Sequence, residues 1–110
     1  MPWIERILAA GGTIVAKTNM EDLALGADEG SYFGASRNPR NPAYSTGGSS
    51  SGSGAAAAAG LVDMALGADE AGSVRIPAAW CGIVGMKATH GLVPSYGMAY
   101  MDHTIDQSGR

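Results

Sequence analysis

Cysteine, basic charge and long apolar runs are all scarce in this chain, and each shortage excludes a class of protein. A single cysteine, Cys81, cannot form an internal disulfide, which fits a reducing cytoplasm. Seven Lys and Arg against ten Asp and Glu give a net charge of −3, so we expect no nucleic-acid partner, because such partners require a basic surface. No apolar run approaches the ~20 residues that span a bilayer. The charged residues Glu5 and Arg6 near the N-terminus are not typical of a signal peptide. We therefore expect a cytoplasmic protein without a membrane partner.

Glycine and serine are abundant instead, and they are concentrated in the middle of the chain. The run GGSSSGS at 47–53 precedes an Ala-rich segment, over which we predict a helix from Ala55 to Leu66. A Gly/Ser loop that leads into a helix offers unpaired N–H groups to an anion or a developing oxyanion. Alone, such a run is more typical of a flexible linker. The segment ADEAGSVR at 68–75 favours a site, because it places one hydroxyl, Ser73, among small residues that let backbone N–H groups approach a reacting carbonyl.

The remaining local patterns predict short elements on either side of this region. We predict an amphipathic helix over Trp3–Ala10, a buried strand over Thr13–Ala16, a helix over Met20–Leu25 and a loop over Gly26–Ser45. The apolar residues expected to supply short strands around Pro77 and Gly82 are Val74, Ile76, Ile83 and Val84.

Together these motifs resemble the amidase signature family, whose members carry GGSSGGS, a small-residue helix and G-x-D-x-GGS-[IV]-R-x-PA in that order. The matching segments here are 47–53 and Gly67–Ala78, and the spacing from Ser49 to Ser73 (73 − 49 = 24 positions) fits the family. Further similar segments lie at 16–22, 37–42, 81–87 and 89–94. The resemblance implies an α/β fold, a mixed β-sheet flanked by helices. Residues 1–110 would form a single partial amidase domain with its catalytic Gly/Ser core at 47–78.

The resemblance also implies a role for each residue of the two turns. Ser73 would attack an amide carbonyl and become acylated, while Ser49, beside a cis peptide bond, would relay its proton to a lysine. A serine hydroxyl needs such a base to become a good nucleophile, and a lysine is neutral enough to act only if its pKa is depressed. The backbone oxyanion hole would comprise Glu70, Ala71, Gly72 and Ser73. The residues expected to support the site structurally are Asp69, Arg75 and Ser50.

The family's lysine base has no counterpart in this sequence, since Lys17 and Lys87 fall in segments that match other family positions. The expected function is hydrolysis of a small-molecule carboxylic amide through an acyl-serine, without cofactor. No metal is expected, because His90 and His103 lack partners at ligand spacing. Two alternatives stay open. One is a non-catalytic fragment or remnant that depends on missing parent segments or on oligomerisation, and the other is a glutamine-dependent amidotransferase subunit.

Several departures from the family pattern bear on the site. Ser51 and Ala71 stand where the family usually has Gly, and an Ala disfavours any positive φ in the oxyanion turn. Glu70 brings a negative charge close to the proposed oxyanion. A triad of Ser73, His90 and Asp106 is formally available, but the spacing does not support it.

Overall fold

The described residues form short helices and a small sheet that hold two turns against each other. The computed structural model describes residues 2–26, 30–99 and 101–109. Their elements are α1 (Pro2–Ala9), a 3-10 helix (Asp22–Ala24), α2 (Ser51–Ala58), β1 (Gly67–Asp69), α3 (Arg75–Cys81) and β2 (Gln107–Gly109). The strands are antiparallel, with the pairs Gly67–Gly109, Ala68–Ser108 and Asp69–Gln107. The expected α/β class is confirmed, although the sheet in the described residues is a two-stranded antiparallel one.

The core lies where α2 packs on α3, and it is built from small side chains. Its buried apolar members are Val74, Ala78, Cys81 and Ala88. Gly54 of α2 lies directly against Pro77 of α3, because a Cβ at position 54 would come 2.8 Å from the Pro77 Cβ. Small residues thus allow the two helices to approach closely, which positions the turn before each helix next to the other.

Helix α3 replaces the short strands predicted around Pro77 and Gly82, and that prediction is wrong. Pro77 is the third residue of the helix, where its missing N–H would have no intrahelical partner in any case. The helix ends at Gly82, which adopts φ 69° and ψ 44°, a left-handed conformation that favours glycine.

Helix α2 begins earlier and ends earlier than predicted. It spans Ser51–Ala58 rather than Ala55–Leu66, so the second half of the Gly/Ser run is its first turn. Gly60 at φ 70° follows its end and stops the helix before Leu66.

The N-terminal predictions have mixed outcomes. The helix predicted over Trp3–Ala10 is confirmed as α1. The strand at Thr13–Ala16 is wrong, since the segment is exposed and carries no strand assignment. The helix over Met20–Leu25 is reduced to the three-residue 3-10 helix, because Leu23 adopts φ 55° and Ala24 φ 57°. The predicted loop 26–45 is confirmed outside positions 27–29, which lie outside the described residues.

None of the helices in the described ranges has the length and apolar character needed to cross a bilayer.

Candidate active site

The two Gly/Ser turns meet through a main-chain hydrogen bond. The N–H of Ser50 donates to the carbonyl of Ser73 at 3.1 Å. The turn before α2 is further fixed from upstream, since the N–H of Glu21 donates to the Ser49 carbonyl at 3.2 Å. The Gly48–Ser49 peptide bond is cis, beside the serine at which the resemblance implies one. The backbone therefore holds the Ser49 and Ser73 turns side by side.

Ser50 also joins the start of α2 to β1 through its side chain. Its hydroxyl donates to the Ala68 carbonyl at 3.2 Å and accepts from the Ala68 N–H at 3.3 Å. This contact requires glycine at position 67, because a Cβ there would lie 2.5 Å from the Ser50 hydroxyl oxygen. The support role expected of Ser50 thus corresponds to a contact that reaches β1, and β1 leads directly into the nucleophile turn.

Asp69 shapes the turn that carries Ser73. Its fully buried carboxylate accepts hydrogen bonds from the N–H groups of Gly72 at 2.8 Å, Val74 at 3.1 Å and Arg75 at 3.2 Å. The Arg75 guanidinium adds two more, from Nε at 3.0 Å and from Nη2 at 2.9 Å. One carboxylate therefore accepts hydrogen bonds from N–H groups of the turn and of the first residue of α3, for which the helix itself provides no acceptor.

These contacts set the charge state of the turn. Burial works to raise the pKa of Asp69, but the hydrogen bonds from Arg75 and from the backbone outweigh it, so the pKa lies below its ordinary value. The same carboxylate raises the pKa of Arg75. Both groups are consequently charged near neutral pH, as a charge-assisted pair requires.

The N–H groups of the turn divide into two sets. Gly72, expected in the oxyanion hole, donates to Asp69 instead. Among the described residues, the N–H groups of Glu70, Ala71 and Ser73 make no hydrogen bond. The positive φ of the turn, 130°, falls on Gly72 rather than on Ala71, so the methyl group of Ala71 is accommodated without backbone strain.

The hydroxyl of Ser49 is buried and makes no hydrogen bond within the described residues. Ser49 is only 1% exposed, whereas Ser73 is half-buried. The two serine side chains therefore do not form the direct hydrogen bond that a proton relay would use. A buried hydroxyl without a partner is rare in folded proteins and calls for an explanation.

The neighbouring Ser51 is accommodated where the family usually has glycine. It is fully buried as the first residue of α2, and its hydroxyl accepts a hydrogen bond from Ser36 at 3.1 Å. Ser36 in turn accepts from the amide of Asn19 at 3.3 Å. A polar network from the upstream segments thus supports the turn before α2.

The formal triad of Ser73, His90 and Asp106 is not assembled. His90 Nδ1 lies 2.7 Å from the side-chain amide of the buried Gln107. The Asp106 carboxylate accepts instead from the N–H groups of Met101 at 2.6 Å and Asp102 at 3.1 Å. Among the described residues, no three His, Cys, Asp or Glu side chains cluster as metal ligands would.

Cys81 is a core residue. It is completely buried, and its Sγ lies 3.7 Å from the Thr46 carbonyl. Burial raises the pKa of this thiol, and the nearby charge of Arg40 only partly opposes that effect. The thiol is therefore protonated at neutral pH and is not a nucleophile of the site.

Sequence reasoning missed the residues that hold the far end of α3. Arg40 donates from Nε to the Cys81 carbonyl at 3.0 Å and from Nη2 to the Gly82 carbonyl at 3.1 Å. Asn38 donates to the Trp80 carbonyl at 2.9 Å. Both residues belong to segment 37–42, which resembles a segment of the amidase signature family. That resemblance marks the segment but does not indicate that it holds the end of α3.

Fold and sequence comparisons identify the class to which this arrangement belongs. The family model described as Amidase matches residues 3–110. In three dimensions the chain matches a 6-aminohexanoate cyclic dimer hydrolase with a TM-score of 0.90 and 41% identity, over 97% of this chain and 23% of that protein. It matches a glutamyl-tRNA(Gln) amidotransferase subunit from Thermotoga maritima with a TM-score of 0.90 and 43% identity, over 96% of this chain and 24% of that one. The chain belongs to the amidase family.

A curated relative is similar at a higher level of identity. The corresponding glutamyl-tRNA(Gln) amidotransferase subunit from Halobacterium salinarum is 52% identical over 107 residues, which cover 96% of this chain and 25% of the relative. The chain therefore spans about a quarter of the length of that protein.

Proposed function

We propose that these residues form the nucleophile part of an amide-hydrolysing site, in which Ser73 becomes acylated. The observation that carries the proposal is the buried, unpartnered hydroxyl of Ser49 on the turn hydrogen-bonded to Ser73. A proton relay needs such a hydroxyl, because it must be shielded from water and available to a donor and an acceptor in turn. The half-buried Ser73, on a turn fixed by Asp69, remains accessible to a substrate carbonyl.

In the proposed reaction, Ser73 Oγ forms a bond to the carbonyl carbon while its proton passes to Ser49 and onward to a lysine amine. The carbonyl π electrons move to oxygen, where the N–H groups of Glu70, Ala71 and Ser73 are available to stabilise the charge. Collapse of this intermediate breaks the C–N bond and returns the proton to the leaving nitrogen. Water then hydrolyses the acyl-serine. No cofactor takes part.

The lysine is proposed to come from polypeptide other than these 110 residues. Lys17 is exposed, Lys87 pairs through its backbone with Gly109, and neither donates to the Ser49 hydroxyl. The site therefore depends on additional polypeptide, or on another copy, for its base. Without that contribution the chain would be the non-catalytic remnant considered above. A small-molecule amide is the proposed substrate, and the cytoplasm is the proposed location.

The nucleophile is tested by the intact mass of the chain after incubation with phenylmethanesulfonyl fluoride. With a lysine-bearing upstream amidase segment added, we expect one adduct on the parent chain, none on Ser73→Ala, and one on the control Ser95→Ala. An adduct that persists in Ser73→Ala would remove Ser73 from the mechanism. The need for an external base is tested separately by omitting that segment, which should slow or abolish adduct formation on the parent chain.

The alternative function, as part of an amidotransferase that releases ammonia from glutamine, is favoured by the 52% identity to the Halobacterium salinarum protein. The two functions share the proposed Ser73 chemistry and differ in substrate. Ammonia release from glutamine, compared with release from simple aliphatic amides, distinguishes them once the base is supplied. A preference for glutamine would support the amidotransferase function, and a preference for aliphatic amides would support the free-standing hydrolase.

A further inference from the structure

The side chain of Ile76 occupies the space between the two turns of the candidate site. A Cβ placed on Gly72 would lie 2.8 Å from Ile76 Cδ1, and a Cβ placed on Gly47 would lie 2.8 Å from Ile76 Cγ2. Gly72 directly precedes Ser73, and Gly47 directly precedes the cis Gly48–Ser49 bond. One aliphatic side chain therefore contacts the backbone on both sides of the proposed reaction centre.

Ile76 lies in the first turn of α3, close to the turn that carries Ser73. It follows Ser73 by three residues, and Ser73 itself lies just before the helix. Its N–H donates to the Gly72 carbonyl at 2.7 Å, which fixes its backbone against the nucleophile turn. Ile76 is 38% exposed. Ile76 therefore contacts the nucleophile turn and still exposes apolar surface to solvent, unlike a fully buried core residue.

We propose that Ile76 forms an apolar wall against the acyl part of the substrate and limits its bulk next to the scissile carbonyl. The inference rests on the proposed function, in which Ser73 is the nucleophile. The leaving nitrogen must face the Ser49 hydroxyl, which returns the proton to it. The substituent that stays on the carbonyl carbon then projects from the other side of that carbon, and Ile76, which contacts the backbone at Gly72 beside Ser73 and is 38% exposed, is the apolar side chain proposed to meet it.

Trp80 provides a matched control one helical turn further on. It also contacts the Gly47 turn, since a Cβ at Gly47 would lie 3.2 Å from Trp80 Cε3. No contact of Trp80 with Gly72 is found. Trp80 instead borders a separate cavity of about 320 Å³ with Arg40 and Tyr44. Truncation of Trp80 therefore disturbs the Gly47 turn without removing a contact with Gly72.

The test compares a small and a bulky sulfonyl fluoride on the parent chain, Ile76→Ala, Ile76→Val and Trp80→Ala, each in the presence of the lysine-bearing upstream amidase segment. Methanesulfonyl fluoride and phenylmethanesulfonyl fluoride react in the same way: the Ser73 Oγ–S bond forms, the S–F bond breaks, fluoride leaves, and the hydroxyl proton passes to the base. The second-order rate constant of each adduct is measured by intact mass, and the ratio of bulky to small reagent cancels any general loss of reactivity. The same samples are compared by thermal unfolding.

We expect Ile76→Ala to raise this ratio roughly tenfold, since a difference of a few methyl groups in an apolar pocket gives discrimination on the order of 10–200-fold. Ile76→Val should raise it less, and Trp80→Ala should leave it within about twofold. If Ile76→Ala fails to fold, the ratio in Ile76→Val decides the question. An equal ratio in the parent and the folded Ile76 variants would overturn the inference while leaving the proposed function intact. Absence of any Ser73-dependent adduct would overturn both.

Discussion

The carboxylate of Asp69 and the guanidinium of Arg75 form a bidentate ion pair across the turn that carries Ser73, at 3.0 and 2.9 Å. The pair is unequal, because the Asp69 side chain is fully buried whereas that of Arg75 is 51% exposed. Asp69 also receives three backbone N–H groups, which would lose their partner if it were removed. The stability of the turn therefore depends more on the acid than on the base.

We accordingly expect Asp69→Ala to lower the free energy of unfolding by about 2–4 kcal/mol, because buried donors left without acceptors cost about 1–3 kcal/mol. Arg75→Ala should cost distinctly less, since water screens the exposed guanidinium. Urea unfolding followed by circular dichroism measures both. Asp63→Ala, which removes an exposed carboxylate, is the control for the change in net charge. Equal losses of unfolding free energy in the Asp69 and Arg75 variants would contradict the expectation that Asp69 contributes more than Arg75.

The ion pair also predicts how stability depends on pH. The pKa of folded Asp69 lies below its ordinary value of 3.8, so the unfolded chain takes up the proton first as pH falls. The stabilising contribution of Asp69 is therefore fully present above about pH 4 and is lost as pH falls further, through the lowered folded pKa. Urea unfolding at pH 6 and at successive steps below pH 4 measures this loss. Asp69→Asn should show a flatter dependence, while the lowered pKa of the exposed Asp102 contributes equally to both proteins.

Two buried serines, four positions apart, should respond in opposite ways to loss of the hydroxyl. Ser53 donates to the Leu66 carbonyl at 2.6 Å and bonds Thr18 at 2.7 Å, so Ser53→Ala should lower the free energy of unfolding by about 1–2 kcal/mol. Ser49 has no partner within the described residues, so Ser49→Ala should leave stability unchanged or raise it by about 1 kcal/mol.

Chemical labelling in the presence of the lysine-bearing segment should reverse this order. Ser49→Ala is expected to abolish the Ser73 adduct through loss of the proposed relay, whereas folded Ser53→Ala should retain it. A destabilised Ser49→Ala chain would show that the hydroxyl has a structural partner, and a fully reactive one would remove Ser49 from the mechanism.

The capping of α3 by Arg40 gives a further prediction. Arg40→Ala should lower the free energy of unfolding by about 1 kcal/mol, because the carbonyls of Cys81 and Gly82 lose a charged donor at the helix C-terminus. Arg37→Ala is the matched control, because it removes the same charge from the same segment and the Arg37 side chain makes no hydrogen bond to α3 in the described part of the chain. Similar losses in the two variants would show that charge, rather than capping, is responsible.

Local propensity predicted α1, but it failed where distant contacts decide the backbone conformation. The β-branched residues near Pro77 favour strands in isolation, yet the start of α3 is fixed by the Asp69 carboxylate, which binds the N–H groups of Val74 and Arg75. The apolar run at Thr13–Ala16 has the composition of a strand but remains exposed without a ladder. Conversely, β1 is the glycine-containing stretch Gly67–Asp69, which has weak strand propensity. It pairs with β2, about 40 positions further along the chain.

The candidate site shows the same division between motif and geometry. The order and spacing of the motifs predict the residues of the two turns. The structure brings those turns together through the hydrogen bond between Ser50 and Ser73. The sequence could not predict that the Gly72 N–H would be engaged by Asp69, or that the Ser49 hydroxyl would be buried without a partner. Both facts depend on side-chain packing, which no local pattern encodes.

The hydrogen bond between Ser50 and Ser73 has a consequence for the order of folding events. It closes a loop of only 23 positions (73 − 50 = 23), and closure of so short a loop costs little chain entropy. Two further contacts of this unit, from Ser50 to Ala68 and from Asp69 to Arg75, fall within residues 50–75. Local contacts of this kind form before long-range pairings such as that of β1 with β2. During synthesis the two serine turns can therefore meet as soon as residue 75 is available, before β2 has been made.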